Sequence, residues 1–193
     1  MLDILDYTKQ ELISDADFWQ FAVEHLEKPT EFRGVSFVSS IKFIEEQLLP
    51  RYDKVTLILG LSDNGKESIG KRMRQLNERT EFVNYGYEHP DSEFTKRILD
   101  GSLRLLFTKQ ELIHTKMYLM TSDDRYLSFA GSMNLTEAAI HHNLEQLDSD
   151  YGMRTDPLYQ CHIQMFNDNL RHATTYLDAK KMAGFIKAKN KEQ

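Results

Sequence analysis

The chain has 193 residues, of which 40% are hydrophobic and 28% are charged, and its formal net charge is −6. This length suits one domain with a substantial core, and the acidic balance argues against a protein that coats nucleic acid non-specifically. A single cysteine, Cys161, excludes an internal disulfide and a thiolate metal site made by this chain alone, which favours a reducing, cytoplasmic location. No apolar run is long enough to cross a bilayer, and the acidic first residues do not resemble a signal peptide, so no membrane association is expected.

Helical and strand patterns alternate in the first half of the chain. Helices are predicted over 14–28, with Ser14 as N-cap, over 41–50 and over 66–79. Runs rich in β-branched and aromatic residues predict strands over 34–40, 54–60 and 81–86. This β-α-β-α-β order favours a sheet with helices packed on it.

The second half has a different rhythm. Segments 102–108, 112–120 and 125–131 are strand-like and separated by short gaps, which predicts hairpins, with Asp123 and Asp124 in the turn between the last two. A short helix is predicted after Asn134. A closing helix is predicted from Pro157, because apolar residues recur there at helical spacing: Tyr159, Ile163, Phe166 and Leu170.

These elements predict an α/β fold with a mixed β-sheet flanked by helices. Residues 1–193 are expected to form one domain. Within it, 1–30 is predicted as a helical N-terminal extension and 157–193 as a helical C-terminal segment.

One glycine-containing segment, GLSDNGKES at 60–68, nearly matches the phosphate loop of nucleotide-binding proteins. Gly60, Gly65 and Lys66 fit that loop, but Glu67 stands where a hydroxyl must meet magnesium. A carboxylate there repels the β-phosphate, so an ordinary strand-to-helix loop is the better interpretation.

A metal site is a further candidate, built from two histidines and two aspartates: His141, His142, Asp148 and Asp150. Adjacent residues on a helix point about 100° apart, so neighbouring histidines rarely converge on one ion. Surface histidines at a helix end are the favoured interpretation.

Polar residues fall at mutually consistent positions between 114 and 145. With a strand period of two, His114 and Lys116 project to the same face. Ser132 follows the next strand, and Asn134 can return beside the first pair through a hairpin and turn. The alternative is that His114 and Lys116 are ordinary polar residues of an edge strand. A basic or nucleophilic ring, a cation and an amide donor gathered at one point would suit a phosphate group.

This pattern resembles the HKD motif of the phospholipase D superfamily, H-x-K-x4-D followed by G-S-x-N. The matching residues are His114, Lys116, Gly131, Ser132 and Asn134, and GSMNLT is similar to the run common in the nuclease members of the superfamily. Glu145 stands where the small nucleases place a glutamate that supports the histidine. The chain departs from the motif twice: Thr121 replaces the aspartate, and the interval from His114 to Asn134 is about three residues longer than in compact members, a length that the hairpin at 121–126 would absorb.

The resemblance implies a phospholipase D-like α/β/α sandwich and metal-independent phosphodiester cleavage with no cofactor. His114 would attack phosphorus, Lys116, Ser132 and Asn134 would hold the phosphate, and Glu145 would fix the tautomer of His114. A second histidine must come from a second copy of the motif. This predicts a homodimer, or a longer polypeptide such as those in which single-motif regions precede helicase or restriction-enzyme modules.

Three functions follow from this resemblance. The first is a nuclease that cleaves DNA through a phosphohistidine. The second, motivated by Thr121 and the acidic balance, is a catalytically lapsed module that binds nucleic acid within a larger helicase or restriction system. The third is a hydrolase of lipids or small phosphodiesters.

Overall fold

The computed structural model describes residues 9–11, 15–60, 80–108, 116–136, 139 and 147–192. The eight described strands form one sheet in the order β1-β7-β6-β5-β2-β3-β4-β8. Strands β2, β3 and β4 run parallel to one another, and the remaining neighbours are antiparallel. The bounds are β1 (Lys9–Glu11), β2 (Glu31–Ser36), β3 (Lys54–Leu59), β4 (Leu103–Thr108), β5 (Lys116–Thr121), β6 (Arg125–Gly131), β7 (Leu147–Met153) and β8 (Ala173–Leu177).

Helices cover both faces of this sheet. They are α1 (Asp15–His25), α2 (Ile41–Phe43, continued by a π-helical turn at Ile44–Leu48), α3 (80–88), α4 (Glu93–Asp100), α5 (Pro157–Arg171) and α6 (Ala179–Glu192). The larger core lies between one face and residues of α1 to α4 and α6, while α5 packs on the other face. The predicted α/β fold, a mixed sheet flanked by helices, is confirmed. None of the helices in the described ranges is long and apolar enough to cross a membrane.

Local sequence signals account for several helix ends. The side chain of Ser40 accepts a hydrogen bond from the Phe43 N–H at 3.1 Å and caps α2, and Ser92 caps α4 through the Thr95 N–H at the same distance. Gly101 ends α4 with a φ of 84°, a left-handed conformation that favours glycine. These signals lie next to the residues they affect, so sequence reasoning can find them.

The predicted strand over 81–86 is wrong, because residues 80–88 form helix α3. Phe82 is buried in the main core, with Val83 and Tyr85 packed against that core. The aromatic and β-branched content of this segment favours a strand locally, but packing on the sheet overrides that weak preference. The third strand of the parallel run is therefore β4.

The two predicted hairpins have different outcomes. Strands β5 and β6 pair from Lys116↔Gly131 to Thr121↔Tyr126, which confirms the hairpin and places Asp123 and Asp124 in its turn. Strand β4 does not pair with β5, because its neighbours are β3 and β8. Long-range parallel pairing, which the spacing of strands along the chain does not reveal, decides the position of β4.

The C-terminal segment was predicted correctly only in part. Helix α5 begins at Pro157, and Tyr159 and Phe166 are buried against the sheet, with Ile163 and Leu170 packed beside them. The segment 157–193 is not wholly helical, however, since β8 joins the edge of the sheet between α5 and α6. The N-terminal segment likewise contains β1 as well as α1. Ser14 and residues 66–79 lie outside the described residues, and the single-domain assignment stays a prediction.

A carboxylate between three helices yields a prediction about alkaline stability. Glu45 accepts hydrogen bonds from the Tyr85 hydroxyl at 2.5 Å and from the Phe94 N–H at 3.1 Å. The hydrogen bond to Glu45, together with burial and the charge of Glu45, raises the pKa of Tyr85 from 10.0 to about 12. Because the folded-state pKa is the higher one, this stabilisation is complete below pH 10 and is lost as the pH rises towards 12.

We therefore expect Tyr85→Phe to flatten the fall in the free energy of unfolding across that pH window. The measurement is denaturant unfolding at a series of pH values, with Tyr87→Phe as the control. A profile for Tyr85→Phe as steep as that of the wild type would contradict the expectation.

Candidate phosphate-binding site

One edge of the sheet collects the ends of the strands that carry the predicted site. Lys116 opens β5 and pairs with Gly131, the last residue of β6. Ser36 ends β2 at the same edge, since Val35 pairs with Met117. Because β2, β3 and β4 are parallel, this edge also holds their carboxyl ends, the place where open α/β sheets bind ligands. We call it the phosphate edge.

The side chain of Asn134 is held at this edge in a defined orientation. Its Oδ1 accepts a hydrogen bond from the Phe37 N–H at 3.3 Å and lies 3.4 Å from the Ser36 Oγ. A backbone N–H can only donate, so the oxygen of the amide must face Phe37. The Nδ2 group, with its two donors, points elsewhere, and no residue in the described ranges accepts from it. Asn134 is therefore oriented as a hydrogen-bond donor.

Two contacts fix the residues on either side of Asn134 to the sheet. The Tyr118 hydroxyl donates to the Met133 carbonyl, and both side chains are buried. Leu135 is fully buried and packs over Gly34, where an added Cβ would lie 3.3 Å from Leu135 Cδ1 and 2.9 Å from Leu57 Cδ2. Gly34 is required there because only glycine lets these side chains approach β2 so closely. The GSMNLT run therefore packs against β5 and β2.

The other predicted phosphate ligands occupy the same edge with different exposure. Lys116 is half-buried, and its amine makes no ion pair with any residue that the structure describes, while Ser132 is exposed. His114 precedes Lys116 by two residues, and Glu145 precedes Leu147 by two. Both lie outside the described residues, so their roles stay predictions.

Two rejected interpretations also involve residues beyond the described ranges. Of the phosphate-loop candidate, only Gly60 is described, and its N–H donates to the Ser36 carbonyl at 2.8 Å. Of the proposed metal ligands, His141 and His142 lie outside the described residues, Asp148 is exposed and Asp150 is buried. Within the described ranges, no group of three or more histidine, cysteine, aspartate or glutamate residues is arranged to hold a metal ion.

The position of the missing motif aspartate is far from the phosphate edge. Thr121 ends β5, five residues from Lys116, which is roughly 16 Å at about 3.3 Å per residue. It is 2% exposed, and its carbonyl accepts the Thr30 N–H at 2.8 Å. Asp123 and Asp124 lie in the adjacent exposed turn at this far edge. Neither aspartate can replace a phosphate ligand from there, and Thr121 removes no group from the phosphate edge.

A second polar cluster was missed by sequence reasoning. Asp150 Oδ2 accepts a hydrogen bond from the Tyr126 hydroxyl at 2.8 Å and lies 2.7 Å from His162 Nε2. On the other side of the ring, Ser128 Oγ lies 3.3 Å from His162 Nδ1. Burial first, and then the hydrogen bond to Asp150, raise the pKa of Tyr126.

This cluster ties α5 to β6 and β7 on the face opposite Asn134. His162 stands among the apolar residues of α5, at i+3 from Tyr159 and i−4 from Phe166, and that placement was the available signal.

Comparison with known proteins gives structural matches alone. No family model matches the chain, and no curated protein matches its sequence. The phospholipase D family member Nuc from Salmonella typhimurium is similar in structure, with a TM-score of 0.54 and 12% identity over 89% of this chain and 98% of that one. Phosphatidylserine synthase from Haemophilus influenzae matches with a TM-score of 0.52 and 13% identity over 84% of this chain and 40% of that one. Both likenesses concern the fold.

Proposed function

Because the chain has the fold of phospholipase D family proteins, we propose that it is a metal-independent phosphodiesterase that cleaves nucleic acid through a phosphohistidine. The observation that carries the proposal is the orientation of Asn134, whose amide donors are fixed by the Phe37 N–H at the edge where β5 begins with Lys116. A site that presents fixed donors and a cation suits the charge that develops on phosphoryl oxygens.

In the proposed reaction, one ring nitrogen of His114 attacks phosphorus, and the bond from phosphorus to the leaving oxygen breaks. A second histidine gives its proton to that oxygen. Water then attacks phosphorus and gives a proton to the second histidine, and the phosphorus–nitrogen bond breaks, which releases the phosphate product and restores His114. The Glu145 carboxylate accepts a hydrogen bond from the protonated ring nitrogen of His114 and fixes its tautomer, as acidic partners of histidine commonly do.

Lys116 and Asn134 have distinct tasks in this proposal. Lys116 supplies countercharge to the phosphoryl oxygens, while Asn134 and Ser132 supply directed hydrogen bonds. Since the Asn134 amide is already held, it need not reorganise when charge develops in the transition state.

The second histidine is proposed to come from a second copy of the motif. The sequence contains one H-x-K triplet, at His114, and the other histidines lack a lysine two residues later. A symmetric dimer that places two phosphate edges face to face would supply the missing acid. A second motif elsewhere in a longer polypeptide would serve the same purpose.

The lapsed binding module is the second candidate, because Thr121 replaces the motif aspartate. The location of Thr121 at the far edge of the sheet supports the active alternative, since the substitution leaves the phosphate ligands unchanged. Nucleic acid is preferred to lipid as substrate because GSMNLT is similar to the nuclease version of the motif.

The test is to incubate the chain with labelled single- and double-stranded DNA in EDTA. Cleavage, with transfer of label to the protein after denaturation at alkaline pH, is the expected result. Salt-sensitive binding without cleavage would indicate the lapsed module. Activity on phosphatidyl lipid or on a chromogenic bis-aryl phosphodiester, but not on DNA, would indicate the third function, and dependence on added magnesium would contradict the mechanism.

A further inference from the structure

Ser36 lies where two distant segments of the chain meet beneath the phosphate edge. It is the last residue of β2, and its side chain is fully buried. Its Oγ donates a hydrogen bond to the Val38 carbonyl at 2.7 Å and accepts one from the Leu135 N–H at 3.1 Å. One hydroxyl thereby joins the segment after β2 to the segment after β6, 99 residues further along the chain.

We propose that Ser36 is a positioning residue that sets the direction of the Asn134 amide and so the geometry of the phosphate site. This inference rests on the proposed function, because it concerns the same site. Ser36 is fully buried and acts through Asn134 without touching the substrate.

The distances show how the hydroxyl divides its contacts. Ser36 has one proton, and the 2.7 Å contact to Val38 takes it in preference to the 3.4 Å contact to Asn134 Oδ1. The Oγ lone pairs are then left for the Leu135 N–H. Asn134 consequently depends on the Phe37 N–H to hold its oxygen. The Ser36 hydroxyl, together with the bridge between Ser39 and Leu135, holds the segment that carries this N–H against the segment that carries Asn134.

Loss of the hydroxyl would separate these segments at one point. The Val38 carbonyl and the buried Leu135 N–H would both lose a hydrogen-bond partner. We expect the two segments to rearrange locally so that these groups find new partners. The terminal amide torsion of asparagine is broad, so Asn134 could then turn its oxygen towards the phosphate. An oxygen at that position repels the phosphoryl oxygens, whereas the native amide group attracts them.

The experiment compares Ser36→Ala with Ser128→Ala, a matched variant that loses an equally buried strand hydroxyl on the other face of the sheet. Cleavage kinetics, affinity for inorganic phosphate and thermal unfolding are measured for both. Ser36→Ala is expected to lower kcat and phosphate affinity by roughly 10- to 100-fold, since small misplacements of a catalytic group have effects of that order. Ser128→Ala is expected to unfold at a lower temperature but to keep both values.

The double variant Ser36→Ala with Asn134→Ala is the decisive comparison. If Ser36 acts through Asn134, the double variant will have the same kcat and phosphate affinity as Asn134→Ala alone. Ser36→Cys, which keeps a weak donor and acceptor of similar size, is expected to recover part of the loss.

Additive losses, or equal losses in Ser36→Ala and Ser128→Ala, overturn the inference while cleavage by the wild type upholds the proposed function. A wild type that does not cleave but binds phosphate, with an affinity that Ser36→Ala lowers only while Asn134 is present, overturns the function and keeps the inference. A wild type that neither cleaves nor binds phosphate overturns both.

Discussion

His114→Ala is expected to abolish phosphodiester cleavage, with a fall in kcat of roughly 10⁴-fold or more, the order that loss of a covalent nucleophile produces. The reason is that no other group at the phosphate edge is proposed to form the covalent intermediate. Lys116→Ala is expected to retain more activity, falling by roughly 10²- to 10³-fold, because it removes countercharge and leaves the nucleophile in place. Single-turnover cleavage of labelled DNA in EDTA measures both losses.

His172→Ala is the matched control for that experiment. His172 is exposed and follows α5. The next residue, Ala173, pairs with Thr108, the last residue of β4, at the phosphate edge. Removing this imidazole changes the total number of histidines without touching the proposed ligands, so we expect a change in kcat within about twofold. A loss in His172→Ala as large as that in His114→Ala would contradict the assignment of the nucleophile.

Mixtures of wild-type and His114→Ala chains address the second histidine. If each site needs one His114 from each of two copies, mixed dimers are inactive and activity falls with the square of the wild-type fraction. The chains must be unfolded and refolded together so that copies exchange. A linear fall would show that one chain supplies a complete site.

The β5–β6 hairpin was predictable from sequence because its information is local. Two strand-like segments rich in apolar residues flank a short polar turn. Once the turn is placed, the pairing of Lys116 with Gly131 follows. The same hairpin brings Lys116 and the GSMNLT run to one edge. The three predicted phosphate ligands, Lys116, Ser132 and Asn134, could therefore be assigned to one edge from the sequence alone.

The arrangement of the first half was less predictable, because it depends on pairing between distant segments. The segment 81–86 has the composition of a strand, yet Phe82 packs against the sheet from helix α3. The short gap between β4 and β5 predicts that these two strands form a hairpin, yet β4 lies between β3 and β8. Propensity describes what a segment prefers alone, and here packing between layers outweighs it.

The support beneath the site could not be predicted for the same reason. Ser36 and Phe37 contact Asn134 from 98 and 97 residues away in sequence, respectively. A serine at the end of an apolar strand has no local feature that distinguishes this role from that of an ordinary turn residue. Only the parallel approach of Ser39 and Leu135, where the two segments run side by side, makes the contact visible.

Thr121→Asp, which restores the motif aspartate, is expected to destabilise the protein by about 3 kcal/mol without raising its activity. Thr121 is 2% exposed, so a carboxylate at this position would be removed from water. The residue directly opposite on β2 is Glu31, whose carboxylate already holds Arg33 through contacts of 3.1 and 2.8 Å. Like charges directly opposite each other on paired strands are unfavourable. The Arg33 guanidinium already pairs with Glu31, so it does not offset the new charge. Urea unfolding and cleavage kinetics measure the two effects.

Thr121→Asn separates charge from shape, because asparagine has nearly the size of aspartate and stays neutral. We expect it to lose far less stability than Thr121→Asp at neutral pH. As the pH falls and the introduced carboxyl takes up a proton, the two variants should converge, since the cost belongs to the charged form. A stable Thr121→Asp with a higher kcat would contradict the expectation. It would mean that residue 121 influences the phosphate edge from the opposite end of β5.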